Sequence, residues 1–491
     1  MADAQDNAKK KEEKSLKELF AGTNITADEE QYALTQKGLL AFIDNIVETK
    51  RTDETVTPAL VDDIIALLDK QLSAQMDEIL HNPDFQKLES AWRSLKYLVD
   101  RTDFRENSLI EYIHVSKDEL FDDFIDAPEI PKSGLYKQVY TKEYGQFGGR
   151  PYGAIIGNYS FNPSYKDVTL LRNIAAVCAM AHVPFISAAS PDFFNIKSMS
   201  ELPHLNDIEA IFESPVYIAW HSLRESEDAR YIGLVLPRFM LRMPYGKDTY
   251  GVRSFNYEED VSSGENAFSW GNSAFAFAGC LSQSFAKYRW CVNIIGPQGG
   301  GAVENLPSYF YEAMGEIQTK IPTELLISER REYELSEQGF IPLTMRKGAD
   351  NAAFFSANSI QKAKHFPDTP EGKTAQTNYR LGTQFPYMFI ICRLAHYLKV
   401  IQREKIGLAK ERDDIERELN TWINGYVVDM DNPVPEVRAK KPLRLAKVNV
   451  EDVPGEPGWY KCVLIVRPHF KFMGAYITLQ LTGSLDLKQG E

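Results

Sequence analysis

Apolar residues between His81 and Val99 recur at three- or four-residue steps, which predicts an amphipathic helix. Asn82 is placed to cap this helix, and Pro83 suits its first turn. The apolar positions are Phe85, Leu88, Trp92, Leu95, Leu98 and Val99. A stripe of this kind is typical of a buried helix face, so the pattern alone predicts packing against a core or another helix, without chemistry.

The same period extends toward the N-terminus and predicts a helical N-terminal region over residues 15–105. Thr57-Pro58 opens one of its helices. Further positions at helical spacing are Leu39, Leu40, Ile43, Ile46, Leu60, Ile64, Leu67, Leu68, Leu72, Met76 and Ile79. Residues 1–14 are small, polar and charged, and predict a disordered tail.

After the helical region, short apolar runs broken by Gly, Pro and Asn predict a mixed α/β body over residues 106–385. We expect a helix over Asp167–His182 that leads into a strand, and a helix over Phe275–Tyr288 with small residues on one side. Long helices follow over residues 386–430. The fold class is therefore α/β (α+β), in several domains.

The last segment, residues 431–491, changes to a period of two, which predicts a β-meander. Its strands contain Ala446, Val448 and Val450, then Tyr460–Val466, then Ala475–Leu481. Two or three isolated strands expose unpaired backbone edges, so these strands pair either with another chain or within their own domain. The residues leave both alternatives open.

Composition narrows the classes of function. The 491 residues, 44% hydrophobic and 25% charged, suit a soluble protein of two or three domains. A net charge of -14 argues against a nucleic-acid partner. The start has no secretory signal and no run is long enough to span a membrane, so we expect a cytosolic chain without direct membrane insertion. The five separated cysteines predict buried free thiols in a reducing compartment.

Three features invite a chemical interpretation, and each is better explained structurally. The loop Gly296–Gly301 lacks the Lys-Ser/Thr ending of a P-loop, which favours a structural turn over a phosphate site. The histidines have no second ligand at metal spacing; those in apolar surroundings are His182, His396 and His469. The acidic cluster lacks the alternate-residue pattern and the Gly of a calcium loop, which favours a solvated acidic helix face for Asp118, Glu119, Asp122, Asp123 and Asp126. We expect no catalytic, cofactor or metal site.

The helix sequence DFQKLESAWRSLKYLV closely resembles the signature helix of the large sheath subunit of bacterial type VI secretion systems, the VipB or TssC family. The resemblance continues in order over most of the chain, and only the first sixty or so residues match loosely. Its further blocks are residues 135–159, 167–194, 230–246, 275–303, 340–361 and 385–407.

The resemblance implies a structural protein without catalysis. Such a subunit would form a heterodimer with the small sheath subunit (VipA/TssB type) and polymerise helically with copies of itself around an inner tube protein of the Hcp type. Contraction would then propel the tube. The further implied partners are a baseplate and an AAA+ unfoldase of the ClpV type, and the implied location is the bacterial cytoplasm, with the sheath anchored through the baseplate to the envelope complex.

The resemblance also assigns two sets of residues. The unfoldase would recognise a Leu-Phe pair and an Asn-aliphatic-Thr element, which match Leu19, Phe20, Asn24, Ile25 and Thr26, although Gly22 and Thr23 do not follow the pattern. Without the resemblance, Ser15–Phe20 is a docking helix for its own domain. Strand pairing with partner chains would involve Val448, Val450, Cys462, Leu464, Val466, Ile477 and Leu479.

Two alternatives stay open at this point. A sheath of a phage-tail-like injection particle would share the fold and mechanism, and the lack of a separate small subunit would favour it. The other is a cytosolic enzyme with a site around Gly296–Gly301, which would form a defined small oligomer with ligand-dependent stability.

Overall fold

The computed structural model describes residues 38, 58–253, 255–262, 264–313, 315–345, 351–404, 411–430, 433–452 and 460–469. The chain divides into two compact units, residues 1–71 and 72–491. In the first unit the described residues are helical. Several predictions fall outside the described residues: the disordered tail predicted over residues 1–14, the proposed unfoldase peptide from Leu19 to Thr26, and the strand predicted over Ala475–Leu481 with its residues Ile477 and Leu479.

The described helices include those predicted over Asp167–His182 and Phe275–Tyr288. They are α1 (Pro58–Leu80), α2 (Pro83–Asp100), α3 (Lys117–Asp126), α4 (Tyr165–Ala181), α5 (Ile208–Phe212), α6 (Ile218–Arg224), α7 (Ser273–Tyr288), α8 (Glu329–Glu337), α9 (Pro370–Gly382), α10 (Phe385–Glu404), α11 (Arg412–Asn424) and α12 (Pro435–Lys440). One helical turn, Gly134–Tyr136, continues as a π-helix over Lys137–Tyr144. Short 3-10 turns connect several of these elements.

Twelve strands accompany the helices in the described part of the chain. They are β1 (Ile155–Phe161), β2 (Phe185–Ala189), β3 (Ile232–Leu236), β4 (Phe239–Met240), β5 (Trp270–Gly271), β6 (Ala302–Val303), β7 (Tyr309–Ala313), β8 (Glu316–Lys320), β9 (Phe340–Met345), β10 (Ala352–Phe354), β11 (Leu443–Asp452) and β12 (Tyr460–Pro468).

The central sheet has six strands in the order β1-β2-β3-β9-β10-β6. The first four are parallel, and β10 pairs antiparallel with β9 and with β6. Strands β2, β3 and β9 are buried along their whole length, which explains their continuous apolar sequences. This sheet and its helices form the larger core, in agreement with a mixed α/β class.

Local sequence signals set several helix starts. The side chain of Asn82 accepts a hydrogen bond from the Asp84 amide, as predicted for the cap of α2. Ser116 and Glu119 form a reciprocal capping box at the start of α3. Helix α7 packs beside α2 at Gly279, where an added Cβ would lie 3.7 Å from the side chain of Tyr97, an ordinary contact distance that does not require glycine.

The apolar stripe of α2 is largely exposed, contrary to the prediction that it is buried. Trp92 is 59% exposed and Leu88 is 56% exposed. Leu98 is buried together with Ser94, because the helix turns this narrower face toward the body. Small side chains let α2 approach closely, and Ser90 donates a hydrogen bond to the Trp270 carbonyl oxygen. The helix was predicted correctly, but its buried face was not.

A second, smaller core joins α10, α11, β11 and β12. We call the antiparallel pair of β11 and β12 the C-terminal ribbon. Its register pairs Val448 with Leu464 and Val450 with Cys462. The first two strands of the predicted meander are therefore confirmed.

Candidate interaction site

The glycine loop after Ile295 is a closed structural turn. The Gly296 amide donates to the Phe354 carbonyl oxygen at 2.7 Å, and the Gly301 amide donates to the Gly296 oxygen at 2.9 Å. Gly300 has φ of +95°, and a Cβ there would lie 2.2 Å from the Asn293 oxygen. Because these loop amides are bonded to the chain itself, they do not point at a phosphate.

Each of the three histidines singled out from the sequence has a bonding partner within the fold, and the rings of His182 and His396 both contact Tyr144. His396 Nε2 is 2.9 Å from the Ala181 carbonyl oxygen, and burial lowers the pKa of His396 to about 4. His182 Nδ1 is 3.1 Å from the Tyr231 hydroxyl, and burial also lowers its pKa. The backbone amide of His469 donates to the Pro442 oxygen, beside the C-terminal ribbon.

The acidic face of α3 is used within the fold. Asp123 accepts hydrogen bonds from the amides of Gly134 and Leu135, and Asp118 pairs with Lys166 at 2.6 Å. Among the described residues, no group of three or more potential ligands could hold a metal ion. In the same part of the chain, no helix combines the length and the apolar composition needed to cross a membrane.

All five cysteines are free thiols. Cys178, Cys280 and Cys392 are buried, and burial raises the pKa of Cys280 to about 12. Cys291 is partly buried and its thiol also has a raised pKa. Burial and a raised pKa make these thiols unreactive, and Cys462 on the ribbon is also partly buried.

The structure brings five of the predicted pairing residues together on one face of the C-terminal ribbon, which we call its inner face. Val448 and Val450 are buried against the second core. The others are partly buried against the same core: Cys462, Leu464 and Val466. They are therefore core-facing side chains, and what remains for another chain is the backbone edge.

The two edges of the ribbon differ. Along β11, Asn420 of α11 donates from Nδ2 to the Val448 oxygen at 2.7 Å and accepts from the Val448 amide at 2.9 Å. Glu416, one turn earlier, accepts from the Val450 amide at 2.9 Å. Side chains of α11 thus bond the outward backbone groups of β11 at these positions.

Sequence reasoning missed Asn420 and Glu416. Each lies about thirty positions from the strand residue that it contacts. Their spacing of four on a charged helix is a usable signal, since it places both side chains on one face. No pattern in the sequence indicates that this face meets a strand edge.

Sequence reasoning also missed a buried ionic cluster that holds α2 against the body. Arg242 lies between Glu89 of α2 and Glu259, at 2.7 Å and 2.6 Å, and its side chain is only 4% exposed. Arg93 pairs with Glu89 from the same helix. The Tyr245 amide donates to Glu259 at 2.8 Å. This cluster joins α2 to the segment after β4 and fixes which face of α2 is buried.

Comparison with known proteins identifies the class. Residues 62–361 match the VipB family model, described as the EvpB/VC_A0108 tail sheath N-terminal domain. Residues 374–485 match VipB_2, the EvpB/VC_A0108 tail sheath gpW/gp25-like domain. These two matches place the chain in the class of tail-sheath proteins.

A protein of similar sequence shows which kind of tail sheath this is. The type VI secretion system sheath protein TssC1 of Pseudomonas aeruginosa is 44% identical over 430 residues, which cover 87% of this chain and 86% of the relative. The chain belongs to the VipB family of tail-sheath proteins, and it is a structural protein of the type VI secretion sheath.

One solved structure is a distant match. A chain of the anti-feeding prophage (AFP) baseplate aligns with 63% of this chain and 64% of its own length, at a TM-score of 0.32 and 7% identity. A likeness at this level carries no argument.

Proposed function

We propose that this chain is the large subunit of a contractile sheath that forms a heterodimer with a small sheath subunit. The pairs polymerise helically around an inner tube protein of the Hcp type. A contact that repeats with a rotation and a rise generates an open helical assembly. The extended sheath stores free energy, and contraction to a second packing of the same subunits propels the tube.

The observation that carries the proposal is the C-terminal ribbon. A two-stranded ribbon is marginal alone and presents unpaired backbone groups at an edge that another strand can satisfy. Its partly exposed inner-face residues, Cys462, Leu464 and Val466, support pairing at that edge. Ile477 and Leu479 belong to the proposed pairing region on sequence grounds. Strands joined between subunits would keep neighbours tethered while the folded bodies rotate and slide.

The sheath would work in the bacterial cytoplasm, anchored through a baseplate to the envelope complex. We propose the same division of labour along the chain as the sequence suggests: a tail (1–14), a helical region (15–105), the sheath body (106–385), long helices (386–430) and C-terminal strands (431–491).

Recycling of contracted sheaths would depend on the N-terminal peptide. Leu19 and Phe20, with Asn24, Ile25 and Thr26, would be bound by an AAA+ unfoldase of the ClpV type. Their support is the sequence resemblance alone.

We propose that the chain has no catalytic activity. The closed loop at Gly296–Gly301 and the bonds of His182 and His396 to groups of the protein itself support this proposal over an enzyme with a phosphate site. The structural role of the family points the same way.

The experiment is to co-express the full chain with the small sheath subunit encoded beside it and to image the soluble fraction by negative-stain electron microscopy. We expect long hollow tubules that contain both proteins. The chain expressed alone is the control, and it should not form them. Discrete globular particles without the partner would contradict the proposal, and tubules from this chain alone would favour the sheath of a phage-tail-like particle.

A further inference from the structure

A pocket with two arginines and several aromatic rings lies between the C-terminal end of α7 and the middle of α10. The volume of its cavity is about 410 Å³. Arg393 of α10 lines it together with Arg289, the residue that follows α7. Phe285, Trp290 and Tyr397 supply the walls. We call this feature the arginine pocket, and it lies outside the C-terminal ribbon.

The guanidinium group of Arg393 is surrounded by aromatic rings. Its central carbon lies 4.6 Å from the centroid of the Phe285 ring, 5.2 Å from that of Tyr397 and 5.5 Å from that of Trp290. The face of a ring attracts a cation but does not neutralise its charge. Arg393 therefore carries its full charge in a partly buried position.

The hydrogen bonds of Arg393 leave several of its donors available. Nε and Nη2 both donate to the hydroxyl of Tyr397, at 3.0 Å and 2.6 Å. Within the described part of the chain, Nη1 has no hydrogen-bond acceptor, and no carboxylate pairs with this side chain. Because a guanidinium carries five N–H donors, most of them remain for an anion or for water.

Two other arginines show how this chain satisfies an enclosed guanidinium. Arg242 lies between two carboxylates. Arg224 donates from each of its three nitrogens to an oxygen of the protein, at 2.9 Å, 2.9 Å and 3.0 Å. Arg393 has neither arrangement. An anion bound at Arg393 would give it the set of acceptors that the other two arginines find within the fold.

The lining of the pocket is positively charged. Arg289 and Arg393 contribute two positive charges, and no acidic side chain among the described residues lines the cavity. The charge of Arg289 is balanced by Glu106, whose carbonyl oxygen accepts from Nη1 at 2.7 Å and whose carboxylate contacts Nη2. The charge of Arg393 is not balanced, although the chain as a whole has a net charge of -14. The pocket therefore attracts an anion.

The shape and the walls of the pocket restrict the anion further. Tyr426 also lines the cavity, and its ring lies edge-on to that of Trp290 with centroids 5.3 Å apart. Aromatic walls favour a flat ring or another apolar group. A cavity of about 410 Å³ admits a small molecule but is too small for an α-helix, whose diameter is about 10–12 Å. The ligand that fits is small, flat and anionic.

The pocket joins the two parts of the chain that match separate family models. Helix α7 lies within residues 62–361, and α10 lies within residues 374–485. A ligand that contacts Phe285 and Arg393 at once would tie one of these domains to the other.

We propose that the arginine pocket binds a small organic anion in which a carboxylate or phosphate group is joined to a flat ring. The guanidinium of Arg393 would hold the anionic group through two parallel hydrogen bonds, as arginine does with carboxylates and phosphates. The ring would pack against Phe285 and Trp290. Binding of this kind goes beyond the proposed function, because sheath assembly by itself requires no small ligand.

The test is isothermal titration calorimetry of the full chain with a matched set of probes. Benzoate and adenosine monophosphate each combine an anionic group with a flat ring. Acetate is an anion without a ring, and benzyl alcohol is a ring without a charge. We expect saturable binding of benzoate, of adenosine monophosphate or of both, at least about tenfold tighter than that of acetate or benzyl alcohol.

The pattern of binding identifies the anionic group. Binding of benzoate alone supports a carboxylate ligand, and binding of adenosine monophosphate alone supports a phosphate ligand. A bound probe should also raise the Tm of the chain as its concentration rises. Failure of both ring-bearing anions to bind, or equal binding of all the probes, would overturn the proposal.

Substitutions separate a ligand site from a cluster that only packs. Arg393→Gln removes the charge and should weaken binding of the probe by at least about tenfold. The control is Lys287→Gln, because Lys287 is exposed on α7 and does not line the pocket, so its loss should leave the dissociation constant unchanged. Equal weakening by the two substitutions would mean that the anion follows the general charge of this surface, and would overturn the proposal.

A second variant decides the case in which Arg393→Gln does not fold. Arg393→Lys keeps a positive charge among the rings but lacks the planar pair of donors, so it should fold and bind the probe about fivefold more weakly or worse. Cooperative unfolding in urea shows whether each variant is folded. Wild-type affinity in a folded variant of Arg393 would mean that the arginine only packs against the rings, and the proposal would fail.

Discussion

Arg242 and Glu89 are 153 positions apart in the chain, yet an ion pair of 2.7 Å joins Nε of the arginine to Oε1 of the glutamate. Both side chains are more than nine-tenths buried. The pair connects α2 to the segment that follows β4. Because Arg242 also bonds Glu259, its loss would leave two buried carboxylates without their main cation.

We expect Arg242→Met to lower the free energy of unfolding by about 3–5 kcal/mol, the cost of breaking a buried ion pair by removing one partner. Urea unfolding at neutral pH is the measurement. The matched control is Lys87→Met, which removes an exposed pair with Asp84 on the same helix and should cost at most about 1 kcal/mol. Equal effects of the two substitutions would show that the cluster does not hold α2.

The same cluster predicts that the stability of the folded chain depends on pH. Burial acts to raise the pKa of Glu89, but hydrogen bonds and charge from Arg242 and Arg93 outweigh it and hold the pKa below its ordinary value of 4.5. A carboxyl with a lowered pKa in the folded state stabilises the protein above its unfolded pKa, and this contribution is lost as the pH falls through the folded pKa.

The wild-type chain should therefore be more stable than Glu89→Gln at about pH 7, and the difference should shrink as the pH falls below about 4.5. Unfolding of both chains by urea at several pH values measures it. A difference that grows on acidification would mean that the sign of the shift is wrong.

The two faces of α2 should respond differently to substitution. Leu98→Ala opens a cavity in the core and should cost about 2–5 kcal/mol of unfolding free energy. Trp92 lies on the apolar stripe and is 59% exposed. Trp92→Ser should therefore change the free energy of unfolding of the single chain by no more than about 0.5 kcal/mol. Thermal unfolding of the unassembled chain checks both, and a large loss for Trp92→Ser would place the stripe in an intramolecular core.

This contrast shows what the sequence could predict. The repeat of apolar residues identified α2 and its cap at Asn82, since period and capping are local properties. The repeat could not identify the buried face, because the approach of α2 to the body depends on small residues such as Ser94 and on ionic contacts with Arg242.

The C-terminal ribbon likewise has features that the sequence predicts and features that it does not. The period of two predicted β11 and β12 and placed Val448 and Leu464 on one face. The closing of the β11 edge depends on Asn420, which is 28 positions from Val448, and no local pattern shows such a contact.

The N-terminal peptide gives a prediction for recycling. Leu19→Ala and Phe20→Ala should leave assembly and contraction unchanged and slow disassembly by the unfoldase, since an anchor for recognition is lost. The rate at which contracted sheaths disappear in the presence of the unfoldase measures this, with Lys17→Ala as a control beside the motif. Recycling of both variants at the wild-type rate would refute the assignment.

The central claim is that this chain builds a sheath through strands shared between subunits. The most direct measurement is a cryo-electron microscopy reconstruction of tubules formed by the chain and the small sheath subunit, at a resolution that separates strands. The account predicts that the C-terminal ribbon continues, across β12, into a strand that belongs to another subunit. A wall in which the ribbon ends at β12, or is completed only by its own chain, would contradict it.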